Sequence, residues 1–131
     1  MNNVIVVDAS VLIAAFSVSD FHHEGGIRIL RQGAITRSLV AHPMTIAESA
    51  VGAVREGREL DLELAYRALG IRAPISDAQE PYRLARLRVV TRLPLPDCCV
   101  IDLAVTTGGM LATFDGRLSS VALDEGVQLV A

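Results

Sequence analysis

Four carboxylates in this chain stand where an element begins or ends. Asp8 follows the apolar run Val4 to Val7, and Glu48 lies early in the segment opened by Thr45. Asp97 follows Leu93-Pro94-Leu95-Pro96, and Asp115 lies just past Met110 to Thr113. Brought to one point, such acids hold a divalent cation. Mg²⁺ or Mn²⁺ takes hard oxygen ligands and keeps several waters, so a few carboxylates bind it without a full protein cage. Beside a phosphodiester, that ion polarises the phosphoryl oxygen, activates a water and stabilises the leaving oxygen. Each acid also has an ordinary local use. Asp8 suits a turn, Thr45-Ile46-Ala47-Glu48 has the capping-box form, Asp97 suits an N-cap, and Asp115-Gly116 suits a simple turn. Spacing alone does not choose between the two uses.

Other residues narrow the chemistry. All 12 basic residues are arginine, which removes a Walker-A lysine, a Schiff-base lysine and a lysine general base. The only cysteines are the adjacent Cys98 and Cys99, which offer no CxxC pattern and read as buried small hydrophobes. His22 and His23 are neighbours whose side chains diverge on a helix, so they read as surface residues. Asp102 lies five positions after Asp97, about 140° around a helix, and reads as structural or supporting. Arg83, Arg86, Arg88 and Arg92 form the densest basic cluster. Arg83, Arg86 and Arg117 are candidates for phosphate contacts, against the plainer reading of a solvated helix face.

The elements that must position these residues alternate along the chain. Val4 to Val7 has no polar alternation and reads as a strand buried on both faces. Ser10 can cap a helix from Val11 to Phe16. A second helix spans about His22 to Arg31 and stops at Gly33. Leu39 to Ala41 is a second strand, which Pro43 prevents from continuing. Helices follow from Thr45 and from Asp61, then a brief strand over Ile71 to Ile75. A longer helix runs from Ser76 or Asp77 to about Arg92. Asp97 opens a helix closed by Gly108-Gly109, Met110 to Thr113 is a strand, Leu118 to Asp124 a short helix, and Val127 to Val130 a last strand. The apolar sides of the segments Val11 to Phe16 and Ile46 to Val54 are expected to face the core. The alternation predicts an α/β fold, a parallel sheet with helices on both faces. Ligands in such folds bind at the carboxyl ends of the strands.

With 131 residues and 51% hydrophobic content, residues 1–131 suffice for a single domain with one buried core. No run approaches the roughly 18 apolar residues of a membrane span, and the N-terminus lacks a secretory pattern, so a cytoplasmic protein is expected. The net charge of −3 would disfavour a nucleic-acid binder. If the four acids converge, however, the other 11 acids face 12 arginines, so charge decides nothing.

The order Val-Val-Asp8-Ala-Ser, Thr45-x-x-Glu48, Leu-Pro-Asp97-Cys-Cys-Val-Ile-Asp-Leu-Ala and Leu-Ala-Thr113-Phe-Asp115-Gly-Arg-Leu resembles PIN domains over essentially the whole chain. Within them it is most similar to VapC toxins of bacterial toxin–antitoxin pairs. The resemblance implies an α/β/α sandwich with a central parallel sheet of about five strands, and Mg²⁺- or Mn²⁺-dependent endoribonuclease activity on cellular RNA. It implies catalytic roles for Asp8, Glu48, Asp97 and Asp115, with Asp8, Asp97 and Asp115 as metal ligands and Glu48 holding a metal-bound water or a second ion. Ser10 and Thr113 would line the pocket as supporting donors. The implied partners are RNA, a VapB-type antitoxin and a second copy of the chain. A phosphatase of the haloacid-dehalogenase type fits poorly, since it needs an acid at Ser10 and a later lysine. A phospho-receiver domain also needs a lysine. The remaining rival is a catalytically silent PIN-like fold that binds RNA or protein.

Overall fold

The computed structural model describes residues 3–130. Its centre is β1 (Val4–Val7), paired in parallel with β2 (Ser38–Val40) on one side and β3 (Met110–Ala112) on the other. Ile5 lies opposite Leu39 and Met110, and Val6 opposite Val40 and Leu111. Successive strand side chains point to opposite faces. Val6 accordingly joins one core cluster, while Ile5 and Val7 join another. That division accounts for an all-apolar β-branched strand: both faces are covered.

Single parallel bridges extend the sheet outward, Arg72 beside Val40 and Leu129 beside Leu111. The Ala41 N–H donates to the Arg72 carbonyl at 2.9 Å, and the Leu111 N–H to the Gln128 carbonyl at 2.8 Å. Five parallel segments therefore align as expected, but the outer two are one bridge wide. Pro74, with no N–H to donate, limits the first of them.

Helices fill the layers on both sides. Against Ile5 and Val7 pack α1 (Ala9–Ala15), α2 (His23–Thr36) and α4 (Glu59–Ala68), with Ile46 from α3 (Pro43–Arg55). Against Val6 pack α5 (Glu80–Thr91), α6 (Leu95–Thr107) and α7 (Gly116–Asp124). The α/β/α arrangement expected from the sequence is thus the one observed. No helix among the described residues is long and apolar enough to cross a membrane.

Several boundaries differ from expectation for identifiable reasons. Asp8, not Ser10, caps α1, its carboxylate accepting the Val11 N–H at 3.2 Å. Gly33 does not stop α2 but lies inside it, where a Cβ would come within 2.6 Å of Leu39 Cδ2. Its missing side chain lets the helix approach β2. Pro43 ends the strand and also begins α3, because its fixed φ and absent N–H suit the first helical position. The cap is then His42, whose Nδ1 accepts the Met44 N–H at 3.0 Å, and the capping box at Thr45 does not form. Thr45 is instead buried, and its hydroxyl has no hydrogen-bond partner among the described residues. Likewise α6 starts at Leu95 with Pro96 in its first turn, so Asp97 is not its cap. Gly108 closes α6 in a left-handed conformation, as expected (φ +66°). Val51 and Val54 of α3 do not face the core; both are about half exposed.

Candidate active site

The carboxyl ends of β1 and β3 bring Asp8 and Thr113 side by side. Asp8 is 5% exposed, yet both carboxylate oxygens have donors. Oδ1 accepts the Ser10 hydroxyl at 2.6 Å and the Val11 N–H, while Oδ2 accepts the Thr113 hydroxyl at 2.5 Å. Those hydroxyls are held in turn: Ser10 Oγ accepts the Phe114 N–H at 2.9 Å, and Thr113 Oγ1 accepts the Asp115 N–H at 3.0 Å. Two relays thus run from the backbone after β3 into the Asp8 carboxylate. Each hydroxyl has one proton, already given to Asp8, so the Ser10–Thr113 approach of 3.4 Å is proximity without a donor.

The other three acids approach Asp8 from separate elements, near enough to act on one another by charge. Asp115 is not in a simple turn but caps α7, which begins at Gly116; its Oδ1 accepts the Leu118 N–H at 3.0 Å, which leaves Oδ2 free. Asp97 is the third residue of α6 and half-buried; Glu48 sits in the second turn of α3 and is exposed. Among the described residues, no hydrogen bond reaches the Asp97 or Glu48 carboxylate. Capping therefore explains neither of them.

Mutual repulsion records the convergence. Burial raises the Asp8 carboxyl above the ordinary range; Ser10, Thr113 and Val11 oppose the rise, and Asp115 adds to it. Burial, then the charges of Asp115 and Asp8, raise Asp97, with Arg117 pulling the other way. Desolvation, then Asp97 and Asp8, raise Glu48. Every member of the quartet is thus within electrostatic reach of at least two others. Such a site disfavours four simultaneous negative charges and favours a cation among them. Its donors are all hard oxygens, two of the carboxylates are free of competing hydrogen bonds, and Ser10 and Thr113 orient a third. The residues present fit Mg²⁺ or Mn²⁺.

Neighbouring residues take other duties. Asp102 is buried and paired with Arg83, Nε to Oδ1 at 2.8 Å and Nη2 to Oδ2 at 3.1 Å. Arg83 also grips Asp77 at 2.9 Å, so it clamps α5 to α6 and is not free for a phosphate. Arg117 donates to the Arg92 carbonyl at 3.3 Å, and its charge partly offsets Asp97. His22 stacks on Phe114, ring centroids 4.3 Å apart, and the His23 ring meets the Ala14 carbonyl at 2.8 Å.

A further group was not foreseen. His42, Glu80 and Cys99 bring ligand atoms within 4.8 Å of one another, the one such group of three or more among the described residues. The quartet is therefore more open than this trio. The trio's members lie on three elements far apart in the chain, so no spacing motif joins them. A histidine before Pro43 at a helix start was the only local sign.

Residues 5–123 match the PIN domain family. Among solved structures, the chain is similar to the sarcin-ricin-loop-cleaving toxin VapC20 of Mycobacterium tuberculosis, with a TM-score of 0.74 at 15% identity. That alignment covers 89% of this chain and 94% of the other. It is also similar to PAE2754 from Pyrobaculum aerophilum, with a TM-score of 0.56 at 19% identity, covering 93% of this chain and 88% of that one. At these identities the likeness is one of fold. No curated protein matches.

Proposed function

The chain belongs to the PIN-domain family, and from that premise we propose that it is a metal-dependent endoribonuclease of the VapC toxin type. The observation that carries the reading is the electrostatic convergence of Asp8, Glu48, Asp97 and Asp115 at the carboxyl end of a parallel sheet. Asp8, Asp97 and Asp115 would hold Mg²⁺ or Mn²⁺. A divalent ion bound there supplies phosphoryl polarisation and lowers the pKa of a water. Ser10 and Thr113 fix the orientation of Asp8, and Glu48 orients the attacking water and takes its proton. Arg117 partly offsets Asp97 and is the arginine proposed to meet an incoming phosphate.

The likeness to a toxin that cleaves the sarcin-ricin loop makes structured RNA the substrate class to test first. A VapB-type antitoxin and a second copy of the chain are the proposed partners, and the cytoplasm the proposed location. Ile13, Phe16, Val51, Val54 and Leu64 leave exposed apolar surface on α1, α3 and α4, which suits a protein partner.

The test is cleavage of an end-labelled structured RNA by the purified chain with Mn²⁺ or Mg²⁺, and with EDTA. Cut products with either ion, their loss in EDTA and their return on adding metal are expected. Metal-independent RNA or protein binding with no cleavage of any RNA would overturn the reading in favour of a silent binding module. Mapping RNA ends after induced expression identifies the cut site.

A further inference from the structure

We propose that His42, Glu80 and Cys99 form a second cation site, selective for a thiophilic divalent ion such as Zn²⁺ and separate from the acidic quartet. The inference stands whether or not the chain cleaves RNA. His42 precedes α3, Glu80 opens α5 and Cys99 lies in the first turns of α6, so one ion would tie three helices together. The ligand atoms already lie within 4.8 Å of one another, with Nε2 and Oε1 2.8 Å apart. Zinc–nitrogen and zinc–sulfur bonds of roughly 2.0–2.3 Å put tetrahedral ligands about 3.3–3.8 Å apart, so the imidazole and carboxylate must open by roughly half an ångström to admit the ion while the thiol stays within reach.

The donor set selects the ion. A thiolate with an imidazole and a carboxylate suits zinc, whereas Mg²⁺ and Mn²⁺ prefer oxygen alone. Three protein ligands leave a fourth position for water. The side chains of His42 and Glu80 are each 14% exposed, and Cys99 is buried, so the ligands are held but remain within reach of solvent at one side. Although Cys99 follows Asp97 by two residues, on a helix it points about 200° around from it. The two sites therefore use different faces of α6, although Glu48 of the quartet acts on Cys99 by charge. A thiolate and a carboxylate together balance the charge of a divalent ion.

Proton balance makes the site conditional. Nδ1 of His42 accepts the Met44 N–H at 3.0 Å, so without an ion the ring proton lies on Nε2, directed at Glu80. Binding requires the Nε2 lone pair. The ring proton then moves to Nδ1, the Met44 N–H exchanges that acceptor for water at the exposed helix start, and the Cys99 thiol gives its proton to solvent. One proton leaves per ion bound, and no oxidant or reductant is needed.

Co²⁺ is the probe, because a cobalt–thiolate bond gives a near-ultraviolet charge-transfer band that oxygen ligands do not. Titrating the full metal-free chain is expected to give that band with a tetrahedral visible spectrum at one ion per chain, bleached by Zn²⁺. Asp97→Asn should keep the band, whereas Cys99→Ser should lose it and bind Zn²⁺ at least ~100-fold more weakly. His42→Gln, a second variant in case Cys99→Ser does not fold, should lose the tetrahedral spectrum. No band in the parent protein, or a band that survives Cys99→Ser, overturns the proposal. A band lost in Asp97→Asn overturns it too, by assigning the ion to the quartet. None of these readings depends on RNA cleavage.

Discussion

Asp8 stays oriented in a buried position because three donors meet its two oxygens, and two of those donors are themselves held by the backbone after β3. Thr113→Val removes one relay and leaves the shape. It is expected to cut RNA cleavage about 10–100-fold at saturating Mn²⁺, the usual cost of losing a group that orients a ligand. Unchanged rates would show that the relay has no part in the reaction. A second expectation concerns protons. The carboxyls of Asp8, Glu48 and Asp97 are held above their ordinary values, so the folded chain binds protons more tightly than the unfolded chain. The stability they contribute is therefore full below the ordinary carboxylate range and is lost as pH rises through the raised values. In EDTA, Asp97→Asn should melt with the parent at about pH 3 and above it at pH 7, and added Mn²⁺ should narrow the gap. A variant less stable than the parent at neutral pH would contradict this.

Elements place these residues through a few contacts that the sequence only half disclosed. The strongest is the Arg83–Asp102 pair joining α5 to α6, with Asp77 as a second anchor. Arg83→Ala strands a buried carboxylate and should lower the urea midpoint clearly, while the Arg83→Met/Asp102→Leu double variant should recover much of the loss. Where α1 meets α2, a Cβ on Gly26 would lie 2.9 Å from the Ala15 backbone nitrogen and 3.0 Å from the Val11 carbonyl oxygen. Backbone cannot yield as a side-chain tip can, so Gly26→Ala should cost about 1–3 kcal/mol in urea unfolding despite its better helix propensity. Element types were legible from β-branched runs, prolines and glycines. Helix starts were not, because they depend on which of several neighbouring groups takes the cap. Ser10, Thr45 and Asp97 had the right chemistry, but Asp8 and His42 took the first two positions and Pro94 precedes the third helix. That outcome also freed Glu48 and Asp97 from the local uses that competed with a site. The long α2 was misjudged at Gly33, where a packing glycine resembles a stop.

At the scale of the whole molecule, the net charge of −3 understates how unevenly charge is laid out. Four acids interact by charge with Arg117 beside them, and elsewhere 11 acids meet 11 arginines. The fold class was readable because an all-apolar first strand requires two covered faces, and the family because four short motifs keep their order over the chain. The His42, Glu80 and Cys99 group was not, since only the closed α/β/α packing brings those three helices together. Nor does a linear reading show that the apolar side of α3 would be left open at Val51 and Val54. The central claim is that the quartet holds the ion that cuts RNA. It is tested most directly by comparing the parent with Asp97→Asn on one end-labelled structured RNA at the same saturating Mn²⁺, after circular dichroism confirms that both are folded. The parent should cut at defined positions and the variant at least ~100-fold more slowly. Equal cleavage by the two would contradict the assignment.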